Sequence, residues 1–284
     1  MKEVESLEKL KGISLHSIVP VRAEAREGAE QNTQMLFGET CQIIEPSELG
    51  HQPSDKWRYV RLDSDGQEGW VDAKMVTVMS EQEQVAYEKA YKKAATVAFP
   101  MTYAVSENNG QTIPLTAGTK ITNYQPSVTH EAGPARFEVL GVGFRIDPNM
   151  VIQQALELDQ ENLFKAVRFF INVPYLWGGK NALGMDCSGF TQVVMSLFGK
   201  SLLRNASEQA TQGNPVEGLE QAKAGDLAFF DHEDGRISHV GILIDKERII
   251  HCSGRVKIEK MDATGIYSVE QGGYSHHLVA IKRI

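Results

Sequence analysis

The chain has 284 residues, 42% apolar and 23% charged, which is enough apolar side chain for two or three compact cores. Its formal net charge is −8 and no basic cluster is longer than a pair such as Lys92-Lys93, which argues against a nucleic acid as main partner, because neutralising phosphates needs clustered Lys and Arg. No stretch approaches the roughly eighteen apolar residues of a membrane span, and three widely separated cysteines (Cys41, Cys187, Cys252) fit a reducing compartment rather than a disulfide framework. The segment Met1–Gly12 is charged and lacks an apolar signal core. Read as the native start it implies the cytoplasm; read as a trimmed end it allows the periplasm or cell envelope.

From residue 12 to 79 short alternating segments between turns predict a small all-β barrel. Trp57 to Leu62 alternates, Asp63-Ser64-Asp65-Gly66 reads as a turn, and Gly69-Trp70-Val71 as the next strand. Residues 80–96 then take helical spacing through Val85, Tyr87, Ala90, Tyr91, Ala94 and Ala95, with Ser80 and Glu83 spaced as a capping box. A second strand-rich block covers 97–147 and echoes the first. Leu36 and Thr40 recur as Leu115 and Thr119, an offset of 79, and Trp57 recurs as Phe137, an offset of 80. Beyond residue 148 the pattern is helical from Asn149 to Phe170, and a second helix starts near Cys187. A polar helical stretch follows Asn205. Strands are predicted at Leu227–Phe230, His239–Ile244, Arg248–Cys252 and Leu278–Ile284. Helices first and antiparallel strands afterwards make residues 148–284 an α+β unit.

The chemistry concentrates in that unit. After Cys187, the apolar positions Phe190, Val193, Val194, Leu197 and Phe198 fall on one helical face, and Gly199 suits the C-terminal cap. Cys187 therefore opens a helix, where backbone N–H groups and the helix dipole are expected to lower its pKa and supply the thiolate that acyl transfer uses. An unpaired cysteine is ordinarily a small core residue, but Asp186 and Ser188 on either side argue against a wholly apolar niche. His239 and His251 lie in apolar strands, where a histidine is costly without a partner; either alone could be a satisfied structural histidine. His16, His51, His130, His232, His276 and His277 lie in polar or turn-like contexts and read as solvated. No carboxylate or histidine cluster has metal-ligand spacing, so no metal or cofactor is called for.

The run Tyr175-Leu176-Trp177-Gly178-Gly179, then Asp186-Cys187-Ser188-Gly189-Phe190, Gly225-Asp226-Leu227, His239-Val240-Gly241-Ile242 and His251 resembles the NlpC-type cysteine peptidases of bacterial cell-wall metabolism. The resemblance implies a papain-like catalytic domain with Cys187 as nucleophile, His239 as general base and His251 as the polar residue orienting it. It also implies that Tyr175 and the backbone near Cys187 polarise the scissile carbonyl and that Asp186 and Ser188 line the substrate pocket. With two SH3-like barrels in front, the arrangement is similar to endopeptidases of the family that cut γ-D-glutamyl-L-diamino-acid bonds. The implied partner is a murein-derived peptide and the implied state a monomer. The Gly69-Trp70-Val71 ending is common in bacterial SH3-like domains, and the second block lacks it. Relatives place an acidic residue after the arginine corresponding to Arg204 to hold a free amine; here Asn205 stands there, which equally reads as a helix N-cap with Glu208 three residues on. Two other readings stay open, a peptide-binding protein with an idle catalytic domain and a papain-like acyltransferase or deamidase.

If both histidines serve one thiol they must share a sheet face. That demands an odd-length hairpin, with Ile244 paired to Arg248 and Gly241 opposite His251.

Overall fold

The structure is a computed structural model that describes residues 10–45, 48, 50, 52, 54–127, 133–231 and 235–284. Strands β1 (Lys11–Ile13), β2 (Ile18–Arg22), β3 (Gln31–Leu36), β4 (Thr40–Ile44), β5 (Trp57–Leu62), β6 (Glu68–Asp72) and β7 (Thr77–Val78) form an antiparallel sheet in the order β3-β2-β6-β5-β4-β1-β7. Alternate side chains turn inward, so Val19, Val21, Met35, Val60, Leu62 and Val71 share one core. Helix α1 (Glu81–Tyr91) starts at a capping box in which Ser80 Oγ accepts from Glu83 N at 3.3 Å and Glu83 Oε2 accepts from Ser80 N at 2.8 Å. Its one buried side chain, Tyr87, donates to Gly38 O at 2.6 Å, at a turn where φ is +78° and glycine is favoured.

The helix is shorter than its periodicity predicts. Ala95 to Val97 is strand β8, because Ala95 and Val97 are taken into the core of the second β unit. That unit contains β8 (Ala95–Val97), β9 (Met101–Ser106), β10 (Thr112–Thr116), β11 (Lys120–Ile121), β12 (Ala135–Val139), β13 (Val142–Ile146) and β14 (Val151–Ile152). Their orders, β10-β9-β13-β12 and β11-β8-β14, repeat the first unit strand for strand, split between β12 and β11. Each unit also has a 3₁₀ turn before its last strand, capped by an aspartate: Asp72 accepts from Lys74 N and Asp147 from Asn149 N. The turn glycines Gly38 and Gly118 both have positive φ, and their separation in the chain equals that of Trp57 and Phe137.

The predicted helix from Asn149 is corrected at its start. Pro148 to Met150 is the 3₁₀ turn and Val151–Ile152 pairs with β8, so the β unit runs past residue 147. The helix, α2 (Gln160–Val167), begins only where Asp159 can accept from Asn162 N, at 2.8 Å. There follow β15 (Lys180–Asn181), β16 (Gly184–Met185), α3 (Cys187–Leu197), α4 (Ala206–Gln209), β17 (Asn214–Pro215), β18 (Leu227–Asp231), β19 (His239–Leu243), β20 (Arg248–Ser253), β21 (Arg255–Met261), β22 (Gly265–Ser268) and β23 (Gly273–Arg283). The main sheet runs β17-β23-β18-β19-β20-β21-β22, and β23 also pairs with β22, so the last strand closes back on the sheet's far edge. Helix α3 packs Phe190 and Val194 into one core with Val240, Ile242 and Ile250. Mixed helices and antiparallel sheet are thus the architecture of this unit, as the element order predicts.

The first β unit docks on the third through polar contacts rather than a shared apolar core. Gln34 Oε1 accepts from Lys180 N (3.0 Å) and Asn181 Nδ2 (2.8 Å), Lys180 Nζ meets Glu39 Oε1 at 2.9 Å, and Gln192 Nε2 donates to Asp65 Oδ2 at 2.9 Å.

Candidate active site

Local packing fixes where α3 begins. A Cβ on Gly178 would lie 2.2 Å from Gln31 O, and one on Gly189 would lie 2.2 Å from Gly179 O, so the glycines around Cys187 let three backbones approach closely. Asp186 caps the helix, its Oδ1 accepting from Gly189 N at 2.7 Å. Cys187 is therefore the first helical residue, and it is 7% exposed. Its Sγ lies 4.0 Å from Ser238 O, the residue before His239, and the backbone N–H of Val240, the residue after, is near enough to favour the thiolate. Strand β19 thus begins against the thiol.

The expected lowering of the thiol pKa is overturned. Burial pushes the Cys187 thiol up to about 11 and the Asp186 carboxylate adds to the rise; the N–H groups of Val240 and Ser188 and the Arg204 charge pull down without prevailing. The helix N-terminus is present, but its benefit is smaller than the cost of a charge out of water. The resting group is a thiol, and its use as a nucleophile requires a base.

The hairpin register supplies one. Gly241 stands opposite His251, Ile242 opposite Ile250 and Leu243 opposite Ile249, with Ile244 N donating to Arg248 O at 2.9 Å. This is the pairing that brings the two histidines to one face, and His239 Nε2 lies 2.8 Å from His251 Nδ1. His251 Nε2 in turn lies 2.9 Å from Glu259 Oε2. Burial holds His251 below the ordinary histidine value against the pull of Glu259, so the ring is neutral near pH 7. For Glu259 burial acts upward, but the His251 hydrogen bond and charge and Lys257 outweigh it and leave the carboxylate at about 2. An ionised carboxylate only accepts, so His251 carries its proton on Nε2 and presents Nδ1 as acceptor. His239 then donates from Nε2, which leaves its Nδ1 lone pair as the base. Glu259 is a residue that the sequence reading missed, and the alternation in Val256-Lys257-Ile258-Glu259 was the signal for β21.

The remaining candidates divide. Tyr175 stays at the surface, one third exposed, and burial together with the nearby Cys187 and Asp186 raises its hydroxyl above the ordinary tyrosine value. Asp186 and Ser188, expected to line the pocket, are committed inward. Asp186 accepts from Gly178 N, Gly189 N and both terminal nitrogens of Arg204, and Ser188 Oγ accepts from Arg204 Nη1 at 2.8 Å. Arg204, 1% exposed, also donates from Nε to Thr33 Oγ1 of the first β unit at 2.8 Å. Asn205 precedes α4, and its N–H and Nδ2 both donate to Glu208 Oε2 at 3.0 Å, while Nδ2 lies 3.4 Å from Gln67 Oε1 of the first β unit. His276, expected in solvent, is buried against His239; His16 is exposed and His277 half-buried, and His51, His130 and His232 lie outside the described residues. Among the described residues no group of three His, Cys, Asp or Glu side chains is arranged to hold a metal ion. No described helix is long and apolar enough to cross a membrane.

The family model described as NlpC/P60 matches residues 172–283, and that of the bacterial dipeptidyl-peptidase SH3 domain matches residues 21–75. A gamma-D-glutamyl-L-lysine dipeptidyl-peptidase of Bacillus subtilis is 35% identical over 125 residues, 43% of this chain and 40% of that protein. A probable endopeptidase p60 of Listeria grayi is 30% identical over 122 residues, 43% of this chain and 22% of that protein. The chain thus aligns with less than half the length of these relatives. The crystal structure of an NlpC/P60 family protein from Bacillus cereus superposes with a TM-score of 0.77 at 17% identity, covering 96% of this chain and 99% of that one, which establishes a shared fold.

Proposed function

Residues 172–283 being an NlpC/P60 domain and residues 21–75 a bacterial dipeptidyl-peptidase SH3 domain, we propose that this chain is a cysteine peptidase of peptidoglycan-derived peptides. Its bond is the amide between γ-D-glutamate and the diamino acid of a short peptide with a free N-terminal L-Ala. The observation that carries the proposal is the chain of contacts from Glu259 through His251 to His239, which leaves one basic nitrogen on the strand start beside a buried thiol.

In this reading His239 Nδ1 takes the thiol proton as Cys187 Sγ attacks the γ-glutamyl carbonyl, forming the C–S bond. Backbone N–H groups at the start of α3 and the Tyr175 hydroxyl stabilise the oxyanion. The imidazolium gives its proton to the departing amine, the C–N bond breaks, and an acyl-enzyme remains. Water, activated by the same nitrogen, then releases the γ-glutamyl carboxylate and the thiol. His251 and Glu259 keep His239 in the tautomer that can accept.

In this reading a short substrate is supported by the seam between the first β unit and the catalytic unit. At its surface Gln67 reaches Asn205, so a peptide extending that way meets the β unit. A stem peptide still carrying its sugar has no free amine and more bulk than such a seam admits. Asn205 offers a carbonyl acceptor without charge, so the preference for free peptide is expected at roughly 10²-fold rather than the larger ratios of fully charge-matched sites. The test incubates the protein with L-Ala-γ-D-Glu-diamino-acid tripeptide and with intact sacculi at matched stem-peptide concentration, with products identified by mass spectrometry. Release of L-Ala-D-Glu from the tripeptide at the higher rate is expected; equal rates on both would remove the short-peptide reading.

A further inference from the structure

We propose that His276 is a positioning residue that sets the plane of the His239 ring, an inference that rests on reading His239 as the base. An imidazole turns about Cα–Cβ and Cβ–Cγ, and its plane is set by what packs on its face as well as by its hydrogen bonds. The contact from His239 Nε2 to His251 Nδ1 holds one corner of the ring. The His276 ring lies against the face of His239, centroids 4.2 Å apart and planes at 30°, while His251 meets His239 edge-on at 5.0 Å and 87°. Phe230 stands 6.1 Å from His239 and 6.3 Å from His276. A flat neighbour on the face and an edge contact at the side together restrict rotation of the His239 ring about Cβ–Cγ.

The backbone is built to bring His276 there. Ile266 pairs with His276 but Tyr267 pairs with Tyr274, so Ser275 is an extra residue and β23 bulges at that point. A second irregularity separates the Phe229–Ala280 pair from Phe230–Leu278. Bulges re-aim side chains, and between these two His276 turns inward to 7% exposure. Gly265 allows the approach, since its φ is +151° and a Cβ there would sit 1.8 Å from His276 O. The ring is itself anchored, with Ser275 Oγ 2.8 Å from His276 Nδ1.

The experiment compares the full chain with His276→Ala, His276→Leu and His276→Phe. One readout needs no substrate: the exchange rate of the His239 Nε2 proton in ¹⁵N-histidine-labelled protein, its signal identified by its loss in His251→Asn. The other is kcat and KM on the tripeptide. Phenylalanine keeps a flat face, and leucine keeps bulk without one. Exchange about tenfold faster and kcat about tenfold lower are expected in His276→Ala and His276→Leu, with KM within twofold. His276→Phe is expected within about threefold of the native chain on both. Native exchange and kcat in His276→Leu would overturn the proposal, as would His276→Phe behaving like His276→Leu. Should His276→Ala fail to fold, the leucine and phenylalanine pair decides. If the native chain leaves the tripeptide intact while the exchange pattern follows the prediction, the substrate reading fails and the positioning role stands.

Discussion

His239 Nε2 and His251 Nδ1 lie 2.8 Å apart, at diagonal positions of a hairpin whose register is Gly241 opposite His251. Each nitrogen has a definite role only because the Glu259 carboxylate accepts a hydrogen bond from His251 Nε2 on the far side of that ring. Glu259→Gln is therefore expected to cut kcat about tenfold with little change in KM. A glutamine can donate to His251 Nε2, reverse both tautomers and place a proton on His239 Nδ1. His251→Ala, which removes the relay, is expected to lower kcat by about 10²-fold or more. Steady-state kinetics on the tripeptide check both; native kcat in Glu259→Gln would separate the carboxylate from the chemistry.

Cys187 is expected to be the one cysteine that activity requires. Cys187→Ser should be inactive and Cys252→Ser active, because Cys252 faces away from His251 and donates to Met185 O at 3.0 Å. With its thiol at about 11, Cys187 should alkylate about tenfold faster per pH unit from neutral upward, without a plateau near pH 7. Iodoacetamide labelling followed by peptide mass mapping measures this, and a plateau at neutral pH would mean a preformed thiolate.

Acid should destabilise the fold in two stages. His251 is held below its ordinary 6.5, so its contribution is fully present above about 6.5 and is lost as pH falls below that. Glu259 is held at about 2 against an ordinary 4.5, so its contribution is present above about 4.5 and is lost between there and about 2. Both signs point the same way. Urea midpoints at pH 7, 5 and 3 should fall in that order, and Glu259→Gln should flatten the step below about 4.5.

Arg204 ties three parts of the molecule together. Arg204→Met is expected to destabilise by about 3–5 kcal/mol, because it strands the buried Asp186 carboxylate and removes the bond to Thr33. Thr33→Val, which removes only the contact across the seam, should cost about 1 kcal/mol. Urea denaturation of the two variants separates the contributions.

The sequence by itself determined the local features: the capping box at Ser80, the turns, the alternating strands, and the helix that opens at Cys187. Each depends on neighbours a few residues away, and periodicity and cap chemistry act over that range. The hairpin could also be argued in advance, since side chains alternate with period two and the two histidines had to share a face. Ala94 and Ala95 misled because helix spacing cannot register that a neighbouring β unit buries Ala95 in its core. The thiol's pKa turned first on burial, which a helix-start pattern does not show, with the charge of the adjacent Asp186 adding to it. Glu259 and His276 are 20 and 37 positions beyond His239; the pairing of β20 with β21 carries the first to His251, and that of β23 with β18, itself paired to β19, carries the second to His239. Long-range pairing and desolvation are properties of the assembled sheet. They decided which polar residues became partners of His239, and which, like Asp186 and Ser188, became structure.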